Sequence, residues 1–290
     1  MPSTATHDDA ISQLQREFEI PKSSLRTILD SFLGEFDKGL QSHGQVVSTI
    51  RILEQIHWHV PMIPTYVYHL PTGHETGIYL AIDLGGTNLR VCRVDLLGNR
   101  KFTMRQQKYL ISNELKHAHA TDLFDYIANC LKIFIDTECI DGHPHGQGGW
   151  KIGQLHINHG KLLRWTKGFN CHEAVGQNMA QLLQEALDRI LFKLFKSIFL
   201  QKTNATVVAI TNDTTGTLVA TNYTDSNAHV GLILGTGTNA AYVEKLEAMS
   251  KCLAEVEADT VKRRLKDEGA GAQMVVNTEW GAFGGNNPVY

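Results

Sequence analysis

The sequence predicts an α/β protein, and three observations carry that expectation. Short apolar runs at Ile78–Ile82, Val91–Leu97, Val207–Ile210 and His229–Leu234 have the length and β-branched content of strands. Before and between them lie longer segments whose apolar residues recur every three or four positions, the period of a helix. Turns rich in glycine and threonine punctuate the pattern.

Taken from the N-terminus, Leu25, Ile28, Leu29, Phe32, Leu33, Phe36 and Leu40 form an apolar stripe behind Pro21, which suits a helix start. That stripe is expected to pack into the core. Residues 61–77, PMIPTYVYHLPTGHETG, hold three prolines and two glycines and read as an irregular connector. Ile78–Ile82 and Val91–Leu97 read as strands around a turn at 85–88, Leu97-Gly98-Asn99 as a further turn, and Lys101–Ile111 as a candidate third strand. Thr121–Ile135 is helical with Thr121 or Asp122 as its cap, and a second helix runs from about Ala174 into the 190s. Residues 136–150 have turn composition. Val207–Ile210 reads as a strand that a parallel sheet buries on both faces.

Bulk properties narrow the function. A chain of 290 residues with 42% hydrophobic and 20% charged residues can bury a sizeable core, or two modest ones. A net charge of −3 offers no basic field for nucleic acid or an anionic membrane, so neither partner is expected. The start MPSTATHDDA has no secretory character, and Ile190–Leu200 carries Lys193 and Lys196 and is too short to cross a bilayer. Five cysteines form no CxxC pair and suit a reducing cytosol. Fourteen histidines include no HExxH or finger spacing, so no protein-held metal is expected.

The chemistry concentrates at a few turns. In VVAITNDTTGTL, Asp213 follows an apolar run and serves equally as a helix N-cap or a reactive carboxylate; alone, the stretch favours the cap. Gly86-Thr87-Asn88 and Gly237-Thr238-Asn239 both follow apolar strands, where backbone amides of a tight turn can face phosphate. No GxxxxGKS/T occurs. Gly235–Ala240 fits GxGxxA after a strand, with AAYVEKLEAMSK as a helix and Glu257 or Asp259 near the ribose offset. A dinucleotide site therefore competes.

Five motifs together resemble the hexokinase family, the sugar-kinase branch of the actin-like ATPase (ribonuclease H-like) fold. LAIDLGGTNLRV is similar to its first phosphate loop and LLRWTKGFN to its sugar-site Thr-Lys loop. ITNDTTGTLVA is similar to the strand end with its catalytic aspartate, ILGTGTNAAY to its second phosphate loop, and VVNTEWGAF to a sugar-binding strand. PMIPTYV, Gln154, Ile157, Gly160, Leu162 and Trp165 also fit the family's spacing. The resemblance implies transfer of the γ-phosphoryl group of ATP, carried with Mg²⁺, to the 6-hydroxyl of a hexose such as glucose, in the cytosol. It assigns the base to Asp213 and the sugar cradle to Thr166, Lys167, Asn212, Asn239 and Glu279. It puts Gly85, Gly86, Thr87, Asn88 and Arg90 against phosphate, Gly235, Thr236 and Gly237 in the second phosphate turn, and Asp83 near the magnesium of MgATP, through water.

The same resemblance divides the chain into a small domain at 78–211 and an incomplete large domain made of the helical segment 1–77 with 212–290. Three departures accompany it. DGHPHGQGGWKIG stands where the family has a strand with a sugar-contacting serine, LDRILFKLFKSIFLQKTNATVV carries extra residues, and the sequence stops after GAFGGNNPVY where the family continues. The pattern resembles a mispredicted or alternatively spliced gene product. The expectation is a chain that aggregates and does not turn over alone. A non-catalytic sugar-binding relative is the main alternative, and an oxidoreductase a distant third.

Overall fold

The computed structural model of the chain describes residues 7–42, 60–140, 162, 165, 167–195, 207, 209–235, 237–254 and 258–283. Helices α1 (His7–Phe18) and α2 (Lys22–Gln41) come first, with Pro21 at the N-cap of α2 as the sequence predicts. Only the C-terminal half of the α2 stripe is packed. Phe32 meets the rings of Trp280 and Phe283 at 5.5 and 4.9 Å, Phe36 stacks on Tyr242 at 6.2 Å, and Leu40 is buried. Leu25, Ile28, Leu29 and Leu33 are exposed, against the core expectation, because the aromatic cluster that receives the helix begins at Phe32. The following connector contains a short strand, β1 (Ile63–Pro64).

Three antiparallel strands follow, in the order β2-β3-β4: β2 (Thr76–Leu84), β3 (Asn88–Leu97) and β4 (Phe102–Leu110). Leu80, Leu89 and Val91 from one face of this sheet pack against two helices. The chain first makes a short turn, α3 (Asn113–Lys116), capped by the Ser112 hydroxyl, which accepts from the Leu115 amide. Helix α4 (Ala120–Ile140) starts one residue before the predicted cap, because the His119 carbonyl takes the amides of Asp122 and Leu123. It also absorbs residues 136–140, which composition assigns to a turn. Helix α5 (Met179–Phe195) begins later than Ala174, after a 3₁₀ turn at His172–Ala174, with Asn178 Oδ1 accepting from the Ala180 amide at 3.1 Å. Leu123, Ile127, Leu131 and Phe134 of α4 and Ala186 and Leu187 of α5 complete this first core.

Of Val207–Ile210, the described residues 207, 209 and 210 belong to none of the strand ladders. The Val207 amide donates to Gln184 Oε1 at 2.8 Å, so an α5 side chain takes the donor a neighbouring strand would use, and Ala209 alone makes a bridge. Every ladder among the described strands is antiparallel.

The second unit holds α6 (Asp213–Thr224), β5 (Val230–Leu234), β6 (Thr238–Lys245), α7 (Ala258–Glu268) and β7 (Gln273–Asn277), with sheet order β1-β7-β6-β5. β6 occupies the residues a dinucleotide fold would make helical. It is extended because β5 and β7 bond to its two edges, which removes the Rossmann reading. Side chains of β7 alternate across the sheet. Met274 and Val276 join Leu40, Met62, Met249 and Val261, while Val275 joins Val67, Leu218 and Ala241 on the side of α6. β7 stops at Asn277, within the VVNTEWGAF stretch (275–283) expected to be a strand, because Glu279 turns the chain at φ 52°. No helix among the described residues is long and apolar enough to cross a membrane.

Two constraints hold this unit. A Cβ on Gly231 of β5 would lie 2.4 Å from the Thr214 carbonyl oxygen and 2.7 Å from the Leu218 amide, so α6 rests backbone to backbone on the sheet. Lys251, buried in the second core, donates through Nζ to the carbonyls of Gly39 (2.6 Å), Pro61 (2.7 Å) and Met62 (2.5 Å). The ammonium thus joins the end of α2 to the connector. Burial nevertheless outweighs the favour these carbonyls show the charged form, and pushes the Lys251 pKa down to about 8.

Two outcomes follow from these contacts. Gly231→Ala lowers unfolding stability by about 3 kcal/mol, read from urea denaturation, since the backbone must shift. In contrast Gly216→Ala, whose Cβ would meet only Thr211 Cγ2 at 3.9 Å, is neutral or stabilising by up to about 1 kcal/mol. Lys251 contributes a pH term of defined sign. Between a native pKa of about 8 and the ordinary 10.5, the unfolded chain holds the extra proton, so stability rises with pH. The slope is up to about 1.4 kcal/mol per pH unit and vanishes below pH 8. Denaturation midpoints of the parent and Lys251→Met, compared across that window, isolate the term; a flat or falling difference rules it out.

Candidate functional site

The site is built where α6 starts beside the ends of β6 and β7. Asn212 is the N-cap of α6: its Oδ1 accepts from the Thr214 amide at 2.8 Å and from the Thr214 hydroxyl. That bond assigns the cap to Asn212, so Asp213 becomes the first residue of a helix rather than the end of a strand. Its Oδ1 also accepts from the Thr214 amide, at 2.9 Å, and its side chain stays exposed. A carboxylate there faces the positive end of the helix dipole.

Opposite it stands Glu279, held in the left-handed region at φ 52°. Three side-chain amides converge on its Oε1: Asn277 at 2.9 Å, Asn239 at 3.0 Å and Asn212 at 3.5 Å. Asn239 also donates to Asn277 Oδ1 at 2.8 Å, and its own Oδ1 accepts from the Thr278 hydroxyl at 3.1 Å. Four predicted residues, Asn212, Asp213, Asn239 and Glu279, are thereby brought together. Thr214, Asn277 and Thr278 complete the cluster, and sequence reasoning missed them. Asn277 and Thr278 sit inside the VVNTEWGAF stretch, but nothing in a strand pattern marks a buried amide as part of a site. Carboxylate, amide and hydroxyl groups converging on one place both donate and accept, as recognition of a polyol requires.

Both predicted glycine turns are hairpin loops. Between β2 and β3 the Gly85 amide donates to the Asn88 carbonyl at 2.9 Å, and between β5 and β6 the Gly235 amide donates to the Gly237 carbonyl at 2.9 Å. Thr87 is anchored through its carbonyl to the Ile111 amide and through its hydroxyl to Asn88 Nδ2. Asp83 and Arg90 lie opposite each other on β2 and β3 and pair at 3.1 Å, each about half exposed. The first turn is braced by the Thr-Lys loop: a Cβ on Gly86 would come within 3.2 Å of Lys167 Cβ. Lys167 and Gly168 both adopt positive φ, 57° and 81°, and Trp165 Nε1 fixes the loop by donating to the Cys171 carbonyl at 2.6 Å. Around Gly237 a Cβ would meet nothing within 4 Å.

Lys167, Asp83, Gly85, Gly86, Thr87, Asn88 and Arg90 thus form one group, and the Asp213–Glu279 cluster with Gly235 and Gly237 another. Among the described residues no hydrogen bond joins the two groups. Trp280 links the second turn to the cluster, with Nε1 donating to Thr238 Oγ1 at 3.1 Å. Thr166, Thr236, Gln154, Ile157 and Gly160 lie outside the described residues, as do most of the departures at 141–161 and 196–206.

Comparison with known proteins gives a consistent relationship. Two family models described as hexokinase match residues 10–223 and 229–289. The chain is 38% identical over 280 residues to hexokinase-2 of Candida albicans, covering 95% of this chain and 51% of that protein. It is 34% identical to a glucokinase of Aspergillus niger, covering 97% of this chain and 55% of that protein. A hexokinase of Schistosoma mansoni solved in complex with glucose superposes with a TM-score of 0.69 at 31% identity, over 95% of this chain and 55% of that one. The chain therefore spans about half the length of the relatives it matches. Its α/β architecture is that of the actin-like ATPase fold those hexokinases share, and the chain belongs to the hexokinase family.

Proposed function

We propose that this chain carries the sugar cradle and both phosphate turns of an ATP-dependent hexose kinase acting on the 6-hydroxyl of glucose or a similar hexose. The observation that carries the reading is the convergence of Asn212, Asp213, Asn239 and Glu279 at the start of α6, beside a glycine hairpin. The relatives named hexokinase and glucokinase, and the glucose complex of one of them, agree with it. The first core, drawn from residues 80–207, would belong to a small domain at 78–211. The second, drawn from residues 40–62 and 246–276, would belong to a large domain made of 1–77 and 212–290. The free thiols of Cys92, Cys130, Cys171 and Cys252 suit the cytosolic location this reading includes.

In this mechanism Asp213 accepts the proton of the 6-hydroxyl as it attacks, a role its exposed carboxylate at a helix start allows. Asn212 uses Oδ1 for its cap and offers Nδ2 to a neighbouring hydroxyl. Asn239 and Glu279 exchange part of their mutual bonding for bonds to sugar, with Asn277 and Thr278 holding their orientation. By the family resemblance, Thr166 and Lys167 would complete the cradle. ATP with Mg²⁺ supplies the phosphoryl group and neutralises part of its charge. The Asp83 carboxylate, half exposed at the base of the first turn, has the donor chemistry to receive the hydrated ion. Arg90 beside it would meet phosphate charge, and the amides of the two turns would face the phosphate oxygens.

Hexose-dependent ADP release from MgATP tests the reaction, and calorimetric titration with glucose tests the cradle. In a version extended to the length of the relatives, Asp213→Ala lowers turnover by about 10²–10⁴-fold, the usual scale for a general base, while glucose binding weakens but survives. A change of only a few-fold overturns the base assignment. Glucose binding without any ADP release in the parent favours a sugar-binding role instead. The two glycines separate by their surroundings. In the extended version Gly237→Ala has room for its methyl group, so it raises the KM for ATP several-fold and leaves folding and the sugar KM unchanged. Gly86→Ala displaces Lys167 and raises both KM values. Equal, small effects on ATP at both positions would exclude close phosphate approach.

A further inference from the structure

The turn between β3 and β4 is a tight hairpin turn, closed by the Lys101 amide donating to the Gly98 carbonyl at 2.9 Å. Gly98, Asn99 and Arg100 all have positive φ, at 71°, 49° and 61°. Positive φ at both central residues is the ordinary geometry of such a turn, and here it aims Arg100 at two other segments. The contacts are those of Arg100. Its amide donates to the Gly73 carbonyl at 2.8 Å. Its Nη2 donates to the Thr72 carbonyl at 3.2 Å, and its Nη1 to the carbonyls of Asn222 (3.1 Å) and Tyr223 (3.3 Å). Those last two belong to the final turn of α6, where carbonyls lack helical partners and the dipole favours a cation.

Around this guanidinium the same segments are stitched repeatedly. The Tyr223 hydroxyl lies 3.1 Å from the Glu75 carbonyl and 3.0 Å from the Lys101 carbonyl. The Gly98 amide donates to the Glu75 carbonyl at 3.1 Å. The Glu75 carboxylate folds the 72–75 loop by accepting from the Thr72 amide and hydroxyl and the Gly73 amide. Three segments that are distant in sequence therefore meet at one place: the 72–75 loop, the β3–β4 turn and the C-terminal end of α6.

Their other ends carry the candidate site. β3 runs from this joint back to Asn88 and the first glycine turn, about 30 Å away. α6 runs from it back to Asn212 and Asp213, about 18 Å away. A rotation of about 10° at the joint would move the first turn by roughly 5 Å, more than the length of a hydrogen bond. We propose that Arg100 is a positioning residue, the pivot that fixes the hairpin carrying the first phosphate turn relative to the helix carrying Asp213. It touches neither sugar nor phosphate; it sets the angle at which the two groups of site residues face each other. The ligand identities rest on the proposed function, whereas the pivot rests on the contacts alone.

Hydrogen–deuterium exchange on the chain, with glucose titration alongside, tests this. With Arg100→Ala held below its melting temperature, exchange accelerates at least about fivefold at 85–91 and at 212–218, the far ends of the two elements. Exchange within α4 and α5 stays unchanged, and the glucose Kd rises about 5- to 20-fold. Acceleration confined to 72–75, 97–101 and 220–225 overturns the pivot and leaves only a local helix cap. Uniform acceleration across the chain also overturns it, as a general stabilising role would give. Should Arg100→Ala fail to fold, Arg100→Lys is read the same way, because one ammonium cannot span both Thr72 and the helix end. If the parent shows no glucose binding, the sugar reading fails while the exchange pattern still decides the pivot.

Discussion

The close approach of α6 to β5 at Gly231 is the constraint on which the site depends. The helix lies so near that any side chain at Gly231 would enter the backbone of Thr214 and Leu218. That depth brings Asn212 within reach of Glu279 and Thr214 within reach of Asn239 and Asn277, at 3.5, 3.4 and 3.5 Å. Raise the helix by the width of a methyl group and these contacts exceed hydrogen-bonding distance. The position of Asp213 is thus a consequence of packing on the opposite side of the helix from the carboxylate itself.

Within the cluster, one carboxylate oxygen serves three amides. Partly buried polar groups are costly unless paired, and here each amide is paired through the same acceptor. The arrangement is rigid where it is backed by Thr278, whose hydroxyl bonds both Asn239 Oδ1 and the Ala240 carbonyl. It is weakest at Asn212, whose 3.5 Å contact is the longest of the three. Under the proposed function, an incoming hydroxyl would displace the Asn212–Glu279 contact at least cost, on the side where Asp213 stands. Preorganised donors that give up only their poorest bond suit a site that must bind polar groups in competition with water.

Most of the elements were legible from local signals. Pro21, the glycine turns at 85–88 and 235–237, and the period of α4 and α5 each mark a feature the structure contains. The failures have physical causes of one kind, namely partners distant in sequence. AAYVEK reads as helix or strand locally, and only bonding to β5 and β7 decides it. Val207 looks like a buried strand, yet Gln184 captures its amide. The α2 stripe is amphipathic along its whole length, but only Phe32 onward meets aromatic neighbours. In the site, Asn212, Asn239 and Glu279 were legible only through five motifs read together, whereas Asn277 and Thr278 became visible once the register of β7 was known.

Two cations, Lys251 buried and Arg100 half-buried, tie helix ends to other segments by the same chemistry. Lys251 and Arg100 bond through their side chains only to backbone carbonyls, at the end of α2 with the connector and at the end of α6 with the 72–75 loop. Carbonyl-rich helix ends need donors, and a cation supplies several from one residue. A carboxylate partner would add attraction, but it would also bring a second charge to desolvate. The Lys251 ammonium, with its pKa lowered by burial to about 8, does not keep its charge in alkaline solution. Raising the pH therefore alters the seam between the N-terminal helix and the second core. The planar guanidinium reaches the Thr72 carbonyl and both α6 carbonyls at once, a geometry that the single ammonium of a lysine could not supply at that joint.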